Sequence, residues 1–171
     1  MDIEKLKQFA KEKKITLPPF PNKYLTSISL EIKEDESLFF FCQAKEGKTD
    51  GTFFVTSKRL GFIKFGVFSG TSSVSLDINK INSVSKNKGI LNGEIEVWDN
   101  SGKVIYSMPS LHVDMAEKAV NDAKNANKVI SSNVNQTSSA ADEILKFKNL
   151  LDQGIITQDE FNLKKKELLG L

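Results

Sequence analysis

The sequence predicts an α+β protein in which short antiparallel strands lie between helical segments. Three observations indicate this class. Apolar residues have a helical period before Ser37, then occur in short runs rich in β-branched and aromatic side chains, and return to a helical period after Pro109. Seven short runs with turn signals between them are typical of an antiparallel sandwich or barrel and not of a parallel sheet.

The composition indicates a globular chain with one core and an appendage. The 171 residues are 39% hydrophobic and 27% charged, and the net charge of +2 gives no global field that would recruit nucleic acid or anionic lipid. No window has the length of a membrane span, and the charged N-terminus lacks a signal-peptide core. We therefore expect a cytoplasmic protein. Cys42 lies in the apolar run SLFFFCQA and is expected to be a buried thiol.

The first 22 residues are expected to form an amphipathic helix and a proline-rich connector. The helix is predicted over residues 2–14, and its apolar positions are Ile3, Leu6, Phe9 and Ala10. The segment TLPPFPNK ends it, because consecutive prolines cannot continue a helix. A second short helix is predicted from the spacing of Tyr24, Leu25, Ile28 and Ile32. Whether the first helix packs on the main domain or acts separately stays open.

Seven strands are predicted between Ser37 and Pro109. Their sequences are SLFFFCQAK, GTFFVT, LGFIKFGV, TSSVSLDI, INSVSK, GEIEVWD and KVIYSMP. Asn100-Ser101-Gly102 separates the last two and is the clearest hairpin signal. A helix then runs to about Asn127, with Ser110 as its expected cap and with one apolar face, which consists of Val113, Ala116, Ala119, Val120 and Ala123.

Two stretches of this region resemble bacterial pleckstrin-homology-like domains. FFVTSKRLGFI, residues 53–63, is similar to the strand–turn–strand signature in which a threonine and an arginine flank a tight turn, here Thr56 and Arg59. SVSLDINKINSVSKNKG resembles the later strand pair, with Ile78, Ile81 and Val84 pointing inward. The resemblance implies a pleckstrin-homology-like seven-stranded antiparallel barrel or sandwich over residues 23–128, capped by its C-terminal helix.

The C-terminal residues 142–171 resemble the short C-terminal domain family called SHOCT. The segment ADEILKFKNLLDQGIITQDEFNLKKKELL has the family's leucine-containing first helix, Gly-Ile-Ile-Thr turn, Glu-Phe pair and basic second helix. Gly154 can provide the left-handed C-terminal cap of the first helix, and Thr157 with Glu160 forms a capping box for the second. Residues 129–141, which have little apolar character, are expected to be a flexible linker.

A hairpin of two short helices is expected to need a partner. Helices of about 12 residues are marginal in water, and two of them bury too little surface to offset the ordering of the backbone. We predict that the apolar side chains form an interface with a second copy of the chain or with another protein; the alternative is that the hairpin folds back on its own barrel. The predicted interface residues are Phe147, Leu150, Leu151, Ile155, Ile156, Phe161, Leu168 and Leu169.

A second candidate surface, for a ligand or an anionic membrane, lies on the barrel. Lys58, Arg59 and Lys64 are its basic residues, although such scattered charges are also typical of an ordinary solvated surface. Val67 and Phe68 lie in a predicted loop between two glycines, where an aromatic residue either anchors a binding surface or folds back over the barrel.

No residue pattern indicates an enzyme. His112 is the sole histidine, there is no phosphate-binding glycine loop, and no set of side chains has metal-ligand spacing. Basic residues are not interleaved with stacking aromatics, so nucleic-acid binding is not expected. No cofactor and no metal is expected.

The sequence therefore predicts a non-enzymatic binding and assembly module, a barrel that is oligomerised through its tail. Two alternatives stay open. The first is a monomeric, phage- or prophage-encoded inhibitor or adaptor that binds a host protein. The second is a protein that attaches peripherally to the inner face of the membrane through Phe68 and the N-terminal helix.

Overall fold

The computed structural model describes residues 1–65, 70–134 and 140–169. The chain divides into two compact units, Met1–Lys128 and Val129–Leu171. Among the described residues, no helix combines the length and the apolar composition that a membrane crossing requires.

The order of elements follows the sequence-based prediction closely. The helices and strands are α1 (Ile3–Glu12), α2 (Asn22–Glu31), β1 (Leu38–Glu46), β2 (Thr49–Thr56), β3 (Arg59–Phe65), β4 (Thr71–Asp77), β5 (Ser83–Lys88), β6 (Asn92–Asp99), β7 (Gly102–Pro109), α3 (Ser110–Val134), α4 (Ala140–Asp152) and α5 (Gln158–Leu169). A 3-10 turn, Ile78–Lys80, separates β4 from β5.

The strands of the described chain form one seven-stranded antiparallel sheet in the order β4-β3-β2-β1-β7-β6-β5. This confirms the predicted α+β class, but the sheet is not closed, since β4 and β5 are its two edge strands. Asp99 pairs with Gly102 across the predicted hairpin. Strands β1 and β7 pair only through Lys45 with Ser107 and Glu46 with Tyr106, so the two halves of the sheet diverge beyond this short contact.

Phenylalanine side chains fill the core of the first unit. The largest aromatic residues that are fully buried there are Phe40, Phe41, Phe53, Phe54 and Phe62. The predicted apolar face of α3 packs against this core, and each of its five members is buried. Ile78 and Ile81 are also buried, whereas Val84 on the edge strand β5 is half-buried. Cys42 is buried as predicted, and burial raises the pKa of its thiol.

The two N-terminal helices belong to the same core. Leu6 of α1 and Leu25 and Ile28 of α2 have no solvent exposure, and the Phe9 ring stacks on Phe41 with 6.1 Å between centroids. Asp2 caps α1 by accepting a hydrogen bond from the Lys5 amide at 2.8 Å. The first helix therefore packs on the main domain, which was one of the two alternatives left open by the sequence.

Helix α3 differs from its prediction at both ends. Ser110 is its first residue, and the Ser110 hydroxyl donates to the carbonyl oxygen of Gly89 at 2.6 Å, so it fastens the β5–β6 turn to the helix. At the other end the helix continues to Val134, past the expected end near Asn127 and into the predicted linker. Helix α4 begins at Ala140, and residues 135–139 of that linker lie outside the described residues.

Gly61 gives the first testable prediction. It pairs with Phe54 across β2 and β3, and a Cβ at Gly61 would overlap the Phe54 ring, which is fully buried and cannot withdraw. We expect Gly61→Ala to lower the free energy of unfolding by about 1–3 kcal/mol, as overpacking does in other cores. Ser75, the exposed β4 partner of Gly61, provides the control. In urea denaturation Ser75→Ala should change stability by less than about 0.5 kcal/mol; equal effects of the two changes would contradict the steric argument.

Candidate functional site: binding surfaces of the two units

Helix α4 ends at Asp152, and the predicted cap residue Gly154 follows in the turn. Gly154 has φ +69°, the Gly154 amide donates to the carbonyl oxygen of Leu151 at 2.9 Å, and the Ile155 amide donates to that of Leu150 at 2.9 Å. This pair of bonds is the Schellman arrangement, which satisfies carbonyl groups that the helix itself leaves unpaired. The turn therefore sets the direction in which the chain enters α5.

Helix α5 begins with the predicted capping box. The Glu160 amide donates to Thr157 Oγ1 at 3.3 Å, and the Thr157 amide donates to Glu160 Oε2 at 2.8 Å. The Thr157 amide, and the Thr157 hydroxyl that also donates to Glu160 Oε2 at 2.9 Å, lower the pKa of the Glu160 carboxyl because they favour its charged form. Both ends of the turn are thus fixed by local hydrogen bonds.

Large apolar side chains of the tail keep much of their surface exposed. No residue between Ile144 and Leu169 is fully buried. The half-buried members of the predicted interface are Phe147, Leu150, Leu151, Ile156, Phe161 and Leu168. Ile155 and Leu169, which were also predicted, are 64% and 46% exposed.

Two exposed leucines of the tail were missed by the sequence analysis. Leu145 in α4 is 60% exposed and Leu163 in α5 is 72% exposed. Local sequence does not show which apolar side chains two short helices cover and which they leave exposed. The available signal was simply that both are large apolar residues in short helices. We call Leu145, Ile155, Leu163 and Leu169 the exposed tail set.

A shallow groove of about 320 Å³ lies within the tail. Its lining consists of Lys146, Phe147, Leu150 and Lys164. Two apolar side chains therefore form the floor, while the lysine ammonium groups can remain in solvent beside them. Such a groove is suited to an apolar side chain.

The predicted basic residues of the first unit form ion pairs. Lys58 pairs with Asp35, and Lys64 Nζ lies 2.7 Å from Glu46 Oε2. Arg59 pairs with Glu31 and Glu36. Each of the three cations thus has a carboxylate partner within its own unit, which weakens the field that an incoming anion would meet. Val67 and Phe68 lie outside the described residues, so their predicted role stays a prediction.

Arg59 is the centre of a largely buried ion-pair cluster. Arg59 Nε donates to Glu36 Oε1 at 2.8 Å, and Nη1 donates to Glu31 Oε1 at 2.6 Å. The side chains of Arg59, Glu31 and Glu36 are only 14%, 19% and 3% exposed. Thr56 Oγ1 accepts from the amides of Lys58 and Arg59, which fixes the turn from which the arginine projects. The resemblance had singled out Thr56 and Arg59, but the sequence did not indicate which carboxylates Arg59 would meet.

A second cluster joins edge strand β5 to helix α3. Lys86 Nζ lies 2.9 Å from Asp114 and 2.6 Å from Glu117, and Lys88 Nζ lies 2.6 Å from Asp114. Hydrogen bonds from Lys86 and Lys88 lower the pKa of the Asp114 carboxyl to about 2. Asp114 and Glu117 lie beyond the first turn of α3. Lys86 and Lys88 pair with them and so join the strand to the helix.

His112 links helix α3 to the N-terminal segment. Its side chain is 1% exposed, and Nε2 accepts a hydrogen bond from the Thr16 amide at 3.1 Å, while its ring meets Phe40 edge to face. Nδ1 has no hydrogen-bond partner among the described residues. Burial lowers the pKa of His112, because the charged form loses its hydration. The neutral ring is also the form that can accept from Thr16.

Comparisons with known proteins agree with this architecture. The family described as bacterial PH domain matches residues 30–125, and the short C-terminal domain family, SHOCT, matches residues 142–169. The first match covers more than half of the chain, which therefore belongs to the bacterial PH domain family and carries a SHOCT domain behind it. Both are families of binding modules. Comparison with curated proteins gave no match.

Several solved structures are similar to the chain. A C-terminal domain of an unknown protein from Leishmania infantum is 22% identical, with 60% of this chain and 93% of that chain covered and a TM-score of 0.39. A DUF1696 family protein with a pleckstrin-homology domain from Shewanella loihica is 16% identical, with 60% and 92% covered and a TM-score of 0.42. A pleckstrin homology domain from Shewanella amazonensis is 20% identical, with 50% and 79% covered and a TM-score of 0.35.

Arg59 should contribute far more to stability than its neighbour Lys58. Arg59→Ala leaves the Glu36 carboxylate buried without its charge partner, which typically costs about 3–5 kcal/mol. Lys58→Ala breaks a pair whose side chains are 52% and 66% exposed, and should cost no more than about 1 kcal/mol. Chemical denaturation of the two variants measures the difference. Similar losses for both would mean that the Arg59 cluster is not effectively buried.

The stability of the first unit should depend on pH through His112. Because its pKa is lowered in the folded protein, the unfolded chain takes up a proton first as pH falls below about 6.5. The associated stability is thus complete above that pH and decreases as pH falls toward the folded-state pKa. Gln at this position retains an acceptor for Thr16 and does not titrate. The loss of unfolding free energy between about pH 7.5 and 5.5 should therefore be smaller in His112→Gln, and an unchanged pH profile would contradict this assignment.

Proposed function

We propose that the chain is a non-enzymatic assembly module, which associates with further copies of itself through the tail and so presents several PH domains together. The observation that carries this proposal is the exposed tail set, with four large apolar side chains between 46% and 72% exposed in a unit that has no buried residue between Ile144 and Leu169. Isolated exposed apolar residues are ordinary, but four of them in about 25 residues form a high density.

The apolar surface of the exposed tail set is large enough to permit a symmetric pair. Complete burial of a large apolar side chain contributes about 1.5–3 kcal/mol, so covering the exposed part of each member contributes roughly 1–1.5 kcal/mol. In a two-fold dimer both copies contribute, which doubles the count to eight side chains and roughly 8–12 kcal/mol before losses. Association costs at least ~4 kcal/mol of rigid-body freedom. The balance permits a dimer held by the tails, and the adjacent groove could accept a leucine from the partner copy.

Assembly would give the PH domain avidity for a weak ligand. When several copies are linked, binding by the first raises the effective concentration of the others at the same surface, and the gain can reach about 10²–10⁴. This mechanism requires no catalytic residue and no cofactor. A cytoplasmic location is expected for such a module and stays a prediction.

The proposal is tested by the mass of the full chain in solution. Light scattering after gel filtration should give a multiple of 19.1 kDa for the wild type. Leu163→Glu should shift the assembly toward the monomer by at least about tenfold in dissociation constant, because it removes apolar contact and places a charge in the interface.

Leu30→Glu is the matched control. Leu30 lies in α2 of the other unit and is 83% exposed, so the substitution has the same chemistry outside the tail. It should leave the mass unchanged. A wild-type chain that is monomeric at high concentration would contradict self-assembly and would favour the alternative of a monomeric adaptor that binds a different protein.

A further inference from the structure

Strand β4 is an edge of the sheet that lacks the usual protection against pairing. Natural edge strands commonly carry charged residues, proline or a bulge, which discourage the addition of another strand. Residues 71–76, TSSVSL, contain no charge and no proline, and β4 pairs with β3 without a register shift. The opposite edge strand, β5, differs because Lys86 and Lys88 join it to α3 through ion pairs. The β4 edge is therefore the more open of the two.

Alternate residues of β4 direct their backbone groups away from the sheet. In an antiparallel pair, each strand bonds to a given neighbour through every second residue. The Ile78 amide donates to the carbonyl oxygen of Lys58 at 2.9 Å, which assigns the bonds with β3 to the even-numbered residues of β4. The amide and carbonyl groups of Ser73 and Ser75 then face outward. An added strand would find a donor and an acceptor at each of these residues.

An apolar cleft of about 160 Å³ lies beside this edge. Side chains of β3 and β4 form one wall and side chains of β6 and β7 form the other; they are Leu60, Val74, Leu76, Val97, Val104 and Tyr106. Val74 and Val104 remain 54% and 38% exposed, so the cleft opens to solvent. Cavities of this size with aliphatic and aromatic lining can take up a small apolar group. The cleft is therefore suited to one aliphatic side chain.

Two carboxylates give this edge a negative end. Asp77 is the last residue of β4, and Asp99, the last residue of β6, lines the cleft. Asp77 accepts from the amide of Asn79, and Asp99 accepts from the amides of Ser101 and Gly102. No cation in the described part of the chain lies within ion-pair distance of either carboxylate. A basic ligand is thus favoured over an acidic one.

We propose that the β4 edge binds an extended, basic peptide segment of another protein, which adds a strand to the sheet and places one aliphatic side chain in the cleft. Backbone hydrogen bonds would supply affinity, and the cleft and the two carboxylates would supply specificity. The seven residues of β4 span only about 23 Å along a single strand, which is a small contact beside the area that a stable dimer buries. A short peptide therefore fits this edge better than a second copy of the chain.

This inference names a ligand for the PH domain that the proposed assembly would present in several copies. Peptide binding is a property of one copy and does not rest on assembly through the tail. The Leu163→Glu chain should bind the peptide with the same dissociation constant per site as the wild type, while light scattering reports its mass. Failure of assembly is therefore recognised independently of failure of peptide binding.

The test is fluorescence anisotropy of a labelled peptide, Lys-Thr-Val-Thr-Ile-Thr-Lys, titrated with the full chain. Binding should be saturable. It should weaken several-fold when glutamate replaces both lysines, and also when threonine replaces the valine and the isoleucine. In NMR spectra of the wild type, the amide signals of Ser73 and Ser75 should shift on binding and should become protected from hydrogen exchange.

Two substitutions at Ser75 separate the contribution of the backbone from that of the side chain. Ser75→Pro removes an outward amide, and proline is tolerated at such positions of edge strands because no bond within the sheet is lost. It should weaken peptide binding by about fivefold or more. Ser75→Ala keeps the amide and should bind as the wild type does. Equal binding by the two variants, each with its unfolding transition retained, would contradict strand addition.

Asp77→Asn tests the charge of the negative end. Asparagine keeps an acceptor for the Asn79 amide, and the variant should bind the peptide about two- to fivefold more weakly at low salt. Glu12→Gln is the matched control, since it removes an exposed carboxylate at the end of α1 and should not change binding. Equal effects of these two changes or absence of binding by the wild type would overturn the proposal. A lower solution mass of Ser75→Pro would also overturn it, because the edge would then belong to a second copy.

Discussion

A pair of packed helices has no interior. Within a unit of two helices, each side chain on the facing surfaces keeps one side that the other helix does not cover, and this constraint governs the tail of the protein. The Schellman turn at Gly154 and the capping box of Thr157 and Glu160 fix where the two helices begin and end. These hydrogen bonds do not remove apolar side chains from water. The tail is therefore well defined in local geometry and is left with apolar surface that a partner copy could cover.

The PH domain, in contrast, has an interior, because a sheet and three helices enclose its core. Phenylalanine rings fill the interior, and the neutral His112 connects the N-terminal segment to it. Carboxylates also pair with Arg59 and Lys86, the former in a largely buried cluster and the latter on the surface. These pairs hold elements together and leave little free charge at those positions.

The two units suggest separate roles, in which the PH domain makes a weak contact and the tail sets how many copies act together. A weak contact made by one domain becomes firmer when several linked copies act together. The proposed assembly through the tail would link the copies without any change in the PH domain. Neither step requires catalysis, which agrees with the families to which both units belong.

Much of this protein was determined by sequence alone, because the relevant signals are local. Alternating and helical apolar periods located the strands and helices, while Gly154, Thr157 and Glu160 marked the tail turn through hydrogen bonds that span three to five residues. The burial of Cys42 and of the apolar face of α3 followed from the same periods.

Only the tertiary structure decided which charges meet and which apolar groups stay exposed. Arg59 pairs with Glu31 and Glu36 because folding brings the β2–β3 turn to the end of α2, across 23 to 28 residues of sequence. Leu163 is a large apolar residue like those of the core, yet it is 72% exposed. Pairing and exposure depend on packing between distant segments, and a local pattern carries no information about which segments those will be.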